Sequence, residues 1–331
     1  MTIPPKVVAA ARNGWHWQWN QLMRGLAPSD IDGNFKRVPS QHQNAIVPAK
    51  EDLQSREKNN LPRLIIGRSC PWAHRTWLVY QINNLEEYLH LLFAEPNHKE
   101  GYWKIENNWL ECNSLIELYK LCGAPPNHRA TVPVLIDPSP TQRETPQLLG
   151  NESAQLVEAL NKWPHKENLI DLNPIELQEE INNWQIIIQR SVNDGVYKCG
   201  FARNQTAYNK ASQELFQVLN KIEKSLSRKG PWLCGDQLTL ADIRLFPTLI
   251  RWESVYEPLF GCSEEPLWSF LKIYEWRKNF FNLPGVSSTC NSSNWRKDYF
   301  GALFPLNPSN IIPKGPDISK VINGDLILRK I

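Results

Sequence analysis

Pro62-Arg63-Leu64-Ile65-Ile66-Gly67, followed after two intervening residues by Cys70-Pro71-Trp72-Ala73-His74-Arg75-Thr76-Trp77-Leu78-Val79-Tyr80, sets the architecture of this chain. The first run is short, apolar and closed by Gly, which suits a buried strand. The second reads as a helix with Pro in its first turn, where a missing N–H leaves no intrahelical bond unmade. C-terminal to this pair, residues 89–93 read as a strand, 113–121 as a helix, and Thr131-Val132-Pro133-Val134-Leu135-Ile136-Asp137 again as a strand. A polar, Pro-rich loop (138–147) leads to a short apolar Leu148-Leu149, and Asn151-Glu152-Ser153 opens an apolar-periodic helix over 154–160. The order β-α-β-α-β-β-α within about 100 residues predicts a mixed sheet with helices on both faces, an α/β domain.

Beyond a Pro-bearing connector (163–174), the periodicity changes. Residues 175–191, 205–227, 240–246 and 267–281 carry apolar positions at three- and four-residue steps, so the second domain is expected to be all-α. The boundaries read as an N-terminal extension (1–60), an α/β domain (61–165), a helical domain (175–300) and an extended, Pro- and Asn-rich surface tail (301–331). The extension is turn-rich at Asp30-Ile31-Asp32-Gly33-Asn34 and charged over 50–60. Trp15, Trp17 and Trp19 alternate as on a strand, and are expected to anchor this arm on the body rather than stand exposed.

Composition excludes several classes. With 331 residues, 41% hydrophobic and 10% aromatic, the chain can bury a core and is not wholesale disordered. Thirty-seven Lys+Arg against 34 Asp+Glu leave +3, too balanced for electrostatic nucleic-acid binding. No apolar run approaches the ~18–20 residues of a spanning helix, which argues against an integral membrane protein. The apolar stretch at 7–11 is too short for a secretory h-region. Seven cysteines, odd in number and without C-x-x-C or clustered Cys/His ligands, point to reduced thiols in a cytoplasmic setting and to no metal.

Cys70 is the sharpest chemical feature. A thiol between a strand end and a helix N-terminus meets unpaired N–H groups and the positive helix end, which favour thiolate. Without a second Cys at the C-x-x-C position, a mixed disulfide on it can be resolved only by an external thiol. Such a thiolate needs no general base, so His74 is expected to be a residue of the helix face. Glu152-Ser153 allows two readings, simple N-capping or a helix-end nest for a ligand carboxylate. Val132-Pro133 has no local feature that selects a cis bond. Thr239-Leu240-Ala241-Asp242 fits a capping box, and the tryptophans at 184, 232, 252, 268 and 276 are expected mostly in the core.

Taken together, Cys70-Pro71-Trp72-Ala73-His74-Arg75 closely resembles the signature of the xi-class glutathione transferases, the glutathionyl-hydroquinone reductases. The likeness continues in order through Arg129-Ala130-Thr131-Val132-Pro133-Val134-Leu135, Asn151-Glu152-Ser153-Ala154, residues 193–202 (NDGVYKCGFA), Ala241-Asp242-Ile243-Arg244-Leu245-Phe246, Leu283-Pro284-Gly285-Val286 and residues 311–316 (IIPKGP). It spans about residues 60–317. The resemblance implies a thioredoxin-like domain followed by a glutathione-transferase-type helical bundle, glutathione as co-substrate, and a homodimer joined through the helical domain. It implies Cys70 as nucleophile, Arg129 near a glutathione carboxylate, and Val132 pairing its backbone with the cysteinyl part ahead of a cis Pro133. Glu152 and Ser153 would hold the γ-glutamyl end, which favours the nest reading. Trp103, in Gly101-Tyr102-Trp103, stands where the family has G-G-W. Tyr197 and Tyr299 resemble tyrosines that contact the aromatic half of a glutathionylated quinol. Asp298 replaces the family's usual histidine before the second tyrosine, and residues 83–104 match weakly. An omega-like thiol transferase acting on dehydroascorbate or mixed disulfides, and a non-catalytic glutathione-binding protein, are the alternatives. Conjugation of glutathione to an electrophile is disfavoured, because a Cys there would itself compete for the electrophile.

Overall fold

The computed structural model describes residues 3–37, 44–140, 145–165 and 170–324. It opens with helices α1 (Pro5–Leu26) and α2 (Lys50–Gln54). The α/β unit follows as β1 (Arg63–Gly67), α3 (Pro71–Ile82), β2 (His90–Asn97), β3 (Tyr102–Ile105), α4 (Leu115–Leu121), β4 (Val134–Asp137), β5 (Gln147–Gly150) and α5 (Ser153–Asn161). The helical part contains α6 (Gln178–Ile188), α7 (Gly195–Gly200), α8 (Gln205–Lys229), α9 (Leu240–Leu249), α10 (Glu257–Phe260), α11 (Leu271–Phe281) and α12 (Ser292–Ala302), and α13 (Ile318–Ile322) comes last.

The five strands form one sheet in the order β3-β2-β1-β4-β5. β1 sits at its centre because Leu64, Ile65 and Ile66 are apolar on both faces and fully buried. It runs parallel to β2 across the α3 crossover, from Arg63 opposite His90 to Gly67 opposite Ala94, and antiparallel to β4. The sheet has one strand more than the sequence pattern predicts. β3 lies in the weakly matching segment, where Gly101 takes a positive φ of 73° and turns β2 back on itself. Val132 and Pro133, read as part of a strand, precede β4, and their peptide bond is cis. The predicted loop over 138–147 falls partly outside the described residues.

α3 packs against α5 and against α9 of the helical part, so the helix that carries Cys70 at its start belongs to both cores. Asp242 ties the helical part together. It accepts bonds from the backbone N–H groups of Leu233 (3.0 Å) and Thr239 (3.1 Å), from Thr239 Oγ1 (3.1 Å) and from Trp276 Nε1 (2.8 Å). The predicted capping box is therefore also a buried staple. Trp184, Trp252 and Trp276 are buried as expected, whereas Trp268 is half exposed.

Two sequence expectations fail at the ends of the chain. The alternating tryptophans lie on α1, not on a strand: three alternating positions are outweighed by the Pro-initiated, Ala-rich helical sequence Pro5-Lys6-Val7-Val8-Ala9-Ala10-Ala11. Only Trp19 is half-buried, under the Arg203 guanidinium at 5.2 Å, while Trp15 and Trp17 are 50% and 64% exposed. The extension is nonetheless clamped to the body. Arg203 Nη2 donates to the Met23 carbonyl at 2.7 Å, its backbone N–H to Gly33 O at 3.0 Å, and Asn204 Nδ2 to Asp32 O at 3.0 Å. The tail is likewise not simply extended surface chain. α13 buries Ile318, Val321 and Ile322, and Arg296 donates to the carbonyls of Pro316 (2.8 Å) and Lys314 (3.0 Å).

Candidate active site

The β1–α3 junction places Cys70 at the N-cap of α3 with Pro71 at the first helical position. Its N–H donates to Gly67 O at 3.0 Å, and its thiol points at Val132 O, 3.6 Å away. Across from it, Tyr119 OH donates to Thr131 O at 2.8 Å and accepts from Asn151 Nδ2 at 3.0 Å, which holds the loop before Pro133. Gly67 leaves no room for a side chain, because a Cβ there would come within 2.5 Å of the Trp103 ring and 3.1 Å of Val132.

Beside this junction lies a cleft of about 730 Å³ between the α/β and helical parts. Arg129, Val132, Pro133, Glu152, Ser153 and Tyr197 all line it. Trp103 and Tyr299 do not; Trp103 packs behind Gly67, and Tyr299 reaches the cleft only through Tyr197, their hydroxyls 2.6 Å apart. Glu152 caps α5 by accepting the Ala154 N–H at 3.3 Å. It thus performs the simple capping role while also facing the cleft.

Several residues to which the sequence reading gave no role complete the walls. Trp72 lies between two guanidiniums, Arg37 at 3.9 Å and Arg75 at 4.4 Å from its ring centroid. Arg75 donates to Ser153 Oγ (3.4 Å) and Gln189 Oε1 (3.1 Å); Gln189 donates to Asp194 Oδ2 (2.9 Å), and Arg37 pairs with Asp194 Oδ1 at 2.6 Å. A continuous polar chain therefore runs from the start of α5 to the N-terminal extension. Tyr256 joins the tyrosine pair, 3.2 Å from the Tyr299 hydroxyl. Arg75 stands inside the quoted Cys70 motif, so its spacing of five was available as a signal; Arg37 and Tyr256 carry no such mark.

Electrostatics depart from one expectation. The α3 terminus does favour a thiolate at Cys70, through the amides of Ala73 and Trp72, and Arg251 and Arg37 act in the same sense. Burial acts the other way and is the largest effect, so the thiol is raised above its ordinary value. Burial also holds Tyr197 and Tyr299 well above the usual phenol range and Tyr256 above it, so all three stay protonated at neutral pH. Burial pulls the Arg75 guanidinium down to about 9. His74 is buried and held far below its ordinary value by burial and by Arg251. Because Arg251 Nη1 donates to Nδ1 at 2.8 Å, Nε2 carries the proton and faces Thr289 Oγ1 at 2.7 Å. Both ring nitrogens are engaged, which leaves His74 a structural part of the core. All seven cysteines are free thiols.

A strand–Cys-Pro–helix junction facing an X–cis-Pro loop, followed by a helical part packed against its helix, defines a thioredoxin-like domain joined to a helical domain. Residues 205–299 match the family model for the glutathione S-transferase C-terminal domain. The chain is 32% identical to the glutathionyl-hydroquinone reductase YqjG of Escherichia coli, over 91% of this chain and 93% of that protein. It is 31% identical to the omega-like glutathione S-transferase 2 of Schizosaccharomyces pombe, over 87% and 95%. The glutathione S-transferase Xi of Phanerochaete chrysosporium superposes with a TM-score of 0.76 at 30% identity, covering 87% of this chain and 94% of that one. The glutathione-bound structure of YqjG gives 0.70 at 32% identity, covering 78% and 86%. The chain belongs to the xi-class glutathione transferases, a family of glutathione-dependent enzymes.

Proposed function

We propose that this enzyme reduces glutathionyl-hydroquinones to free hydroquinones through a mixed disulfide on Cys70. The observation that carries the reading is the pairing of the Cys70 thiol, aimed at Val132 O, with a neighbouring cleft lined by the neutral Tyr197, whose hydroxyl is bonded to that of Tyr299 behind it. Glutathione would lie along the Val132 edge as an added strand, with its γ-glutamyl end at Glu152 and Ser153 and a carboxylate toward Arg129. Arg75 and Arg37, which line the cleft, would supply positive charge to the peptide's anionic ends.

In the first step the Cys70 thiolate attacks the glutathione sulfur, and the sulfur–carbon bond to the ring breaks. The electron pair leaves with the ring carbon, which takes a proton from solvent or from the phenol of Tyr197, itself bonded to Tyr299. The products are free hydroquinone and a Cys70–glutathione disulfide. A second glutathione, as thiolate, attacks that disulfide, regenerating the Cys70 thiolate and releasing glutathione disulfide, so one free thiol and the substrate's own thioether sulfur are oxidised for each carbon–sulfur bond reduced. In the same reading the enzyme acts in the cytoplasm as a homodimer joined through its helical domain.

The test is turnover of glutathionyl-menadiol with glutathione. Free menadiol and stoichiometric glutathione disulfide, abolished in Cys70→Ser and slowed in Tyr197→Phe and Tyr299→Phe, are expected. The likeness to omega-like transferases supports a second reading, thiol transfer to dehydroascorbate or mixed disulfides. Turnover of those with none of glutathionyl-menadiol would favour it, and no turnover of any would leave a glutathione-binding protein.

A further inference from the structure

Among the described residues, α1 has no partner along most of its length. Every residue from Ile3 to Gln18 is exposed, and within the helix only Met23 is buried. At 100° per residue, Val8, Ala11, Trp15, Gln18, Leu22 and Leu26 fall on one stripe, while Trp19 and Met23 turn toward the body. Trp15, Leu22, Leu26 and Val8 on that stripe are 50%, 42%, 44% and 41% exposed. An uncovered helix of about 14 residues containing Gly14, Asn13, two valines and two tryptophans is marginal in water. Among the described residues nothing covers it.

Charge selects the cover. Lys6, Arg12 and Arg24 lie on α1, and no Asp or Glu occurs before Asp30. Lys6 and Arg24 project from the side opposite the stripe, with Trp17, and Arg12 from its edge. A second copy packed stripe to stripe would cover the apolar residues but offer the cations no carboxylate, since α1 carries none. An acidic bilayer surface answers both features: Trp15 and Leu22 enter the headgroup–acyl boundary, Arg12 at the stripe's edge reaches the headgroups, and Lys6 and Arg24 on the polar face add attraction to the anionic surface. We propose that α1 docks this enzyme on the surface of anionic membranes. No helix among the described residues is long and apolar enough to cross one, so the contact is peripheral. Leu26, at the end of the stripe, also lines the cleft, so the docked helix would hold the cleft mouth at the bilayer surface, where apolar acceptors partition. The inference does not depend on the identity of the acceptor.

Flotation of the full-length enzyme with phosphatidylcholine vesicles, with and without a quarter phosphatidylglycerol, tests it. The expected result is association with the anionic vesicles and a blue shift of tryptophan emission. Each cation near the surface contributes about fivefold in affinity, so Lys6→Glu/Arg12→Glu should bind more than about tenfold more weakly. Trp15→Glu/Leu22→Glu should lose the association and the blue shift, while keeping in lipid-free solution the oligomeric state and glutathione-dependent turnover of the parent. No association of the parent with anionic vesicles, or undiminished association of either variant, would overturn the proposal. So would a change of oligomeric state in Trp15→Glu/Leu22→Glu, which would assign the stripe to a second copy, or capture of an acidic protein with no vesicle binding.

Discussion

The reactivity of Cys70 in the free enzyme should climb with pH through the neutral range without levelling off. Burial, the largest influence on the thiol, holds it above its ordinary value of 9.0, against the Ala73 and Trp72 amides, Arg251 and Arg37. Two pH units below that value the thiolate is at most about 1% of the total, and it rises about tenfold per unit. The other groups facing the sulfur are Tyr197 and Tyr256, both held neutral, so no second titration interrupts the rise. Iodoacetamide labelling of Cys70, followed by peptide mass spectrometry with Cys70→Ser as the blank, should therefore give a slope near one in log rate against pH from about 6.5 to 8.5. Arg37→Gln sharpens the test. Arg37 is 36% exposed and already paired with Asp194, so its field at the sulfur is screened to about 0.5 kcal/mol, or roughly twofold slower labelling at pH 7. A plateau below pH 7 would mean that the helix terminus outweighs burial, and faster labelling in Arg37→Gln would refute the sign assigned to that guanidinium.

Two further outcomes follow from packing. Gly67→Ala places a methyl 2.5 Å from the rigid Trp103 ring, so Trp103 or the Val132 loop must move; a loss of about 1–3 kcal/mol is expected in denaturant unfolding, and unchanged stability would show that the ring yields freely. Asp242→Asn turns one of two accepting oxygens into a donor that faces N–H groups, at a cost of about 1–3 kcal/mol. Its pH dependence carries a definite sign. Burial raises the folded carboxyl to about 6 from 3.8, so the native state holds its proton more tightly. This group's stabilisation is full below pH 3.8 and lost as pH rises through 6, about 3 kcal/mol over that window. Equilibrium unfolding of the parent at pH 4–6.5 should show this slope on top of other groups and Asp242→Asn should lack it; equal slopes would refute the assignment.

The α/β order and the helical remainder were legible because each rests on a period carried by many residues: the run Leu64-Ile65-Ile66, and three- and four-residue steps over α6, α8 and α11. β3 was not, because Tyr102-Trp103-Lys104-Ile105 is four residues long and is fixed by its hairpin pairing with β2 rather than by a hydrophobic period of its own. The alternating tryptophans misled for the converse reason, since a period of two over five residues cannot outvote a helix-forming neighbourhood. Within the site, Cys70, Arg129, Val132, Glu152, Ser153 and Tyr197 could be named because they stand in ordered motifs. Arg37 could not, because its contact with Trp72 and Asp194 closes a separation of 157 residues to the latter.

That long-range closure changes how the reaction's charge is managed. A helix-end thiolate read from sequence needs no help, yet the assembled cleft keeps the sulfur protonated at rest. It is also lined with guanidiniums, of Arg37 and Arg244, whose own field is partly spent on Asp194 and Glu158. If Cys70 is the nucleophile, as proposed above, a resting thiol is the better arrangement while it waits for substrate. A standing thiolate beside free glutathione disulfide would be captured as the mixed disulfide, whereas a thiol that ionises only in a small fraction is spared until a sulfur is held against it. The tyrosines follow the same logic from the other side. Since burial keeps all three as phenols, the proposed reaction would find a proton available for the departing ring carbon at Tyr197, and the carbon–sulfur bond could break without leaving an unprotonated carbanion in a low-dielectric cleft.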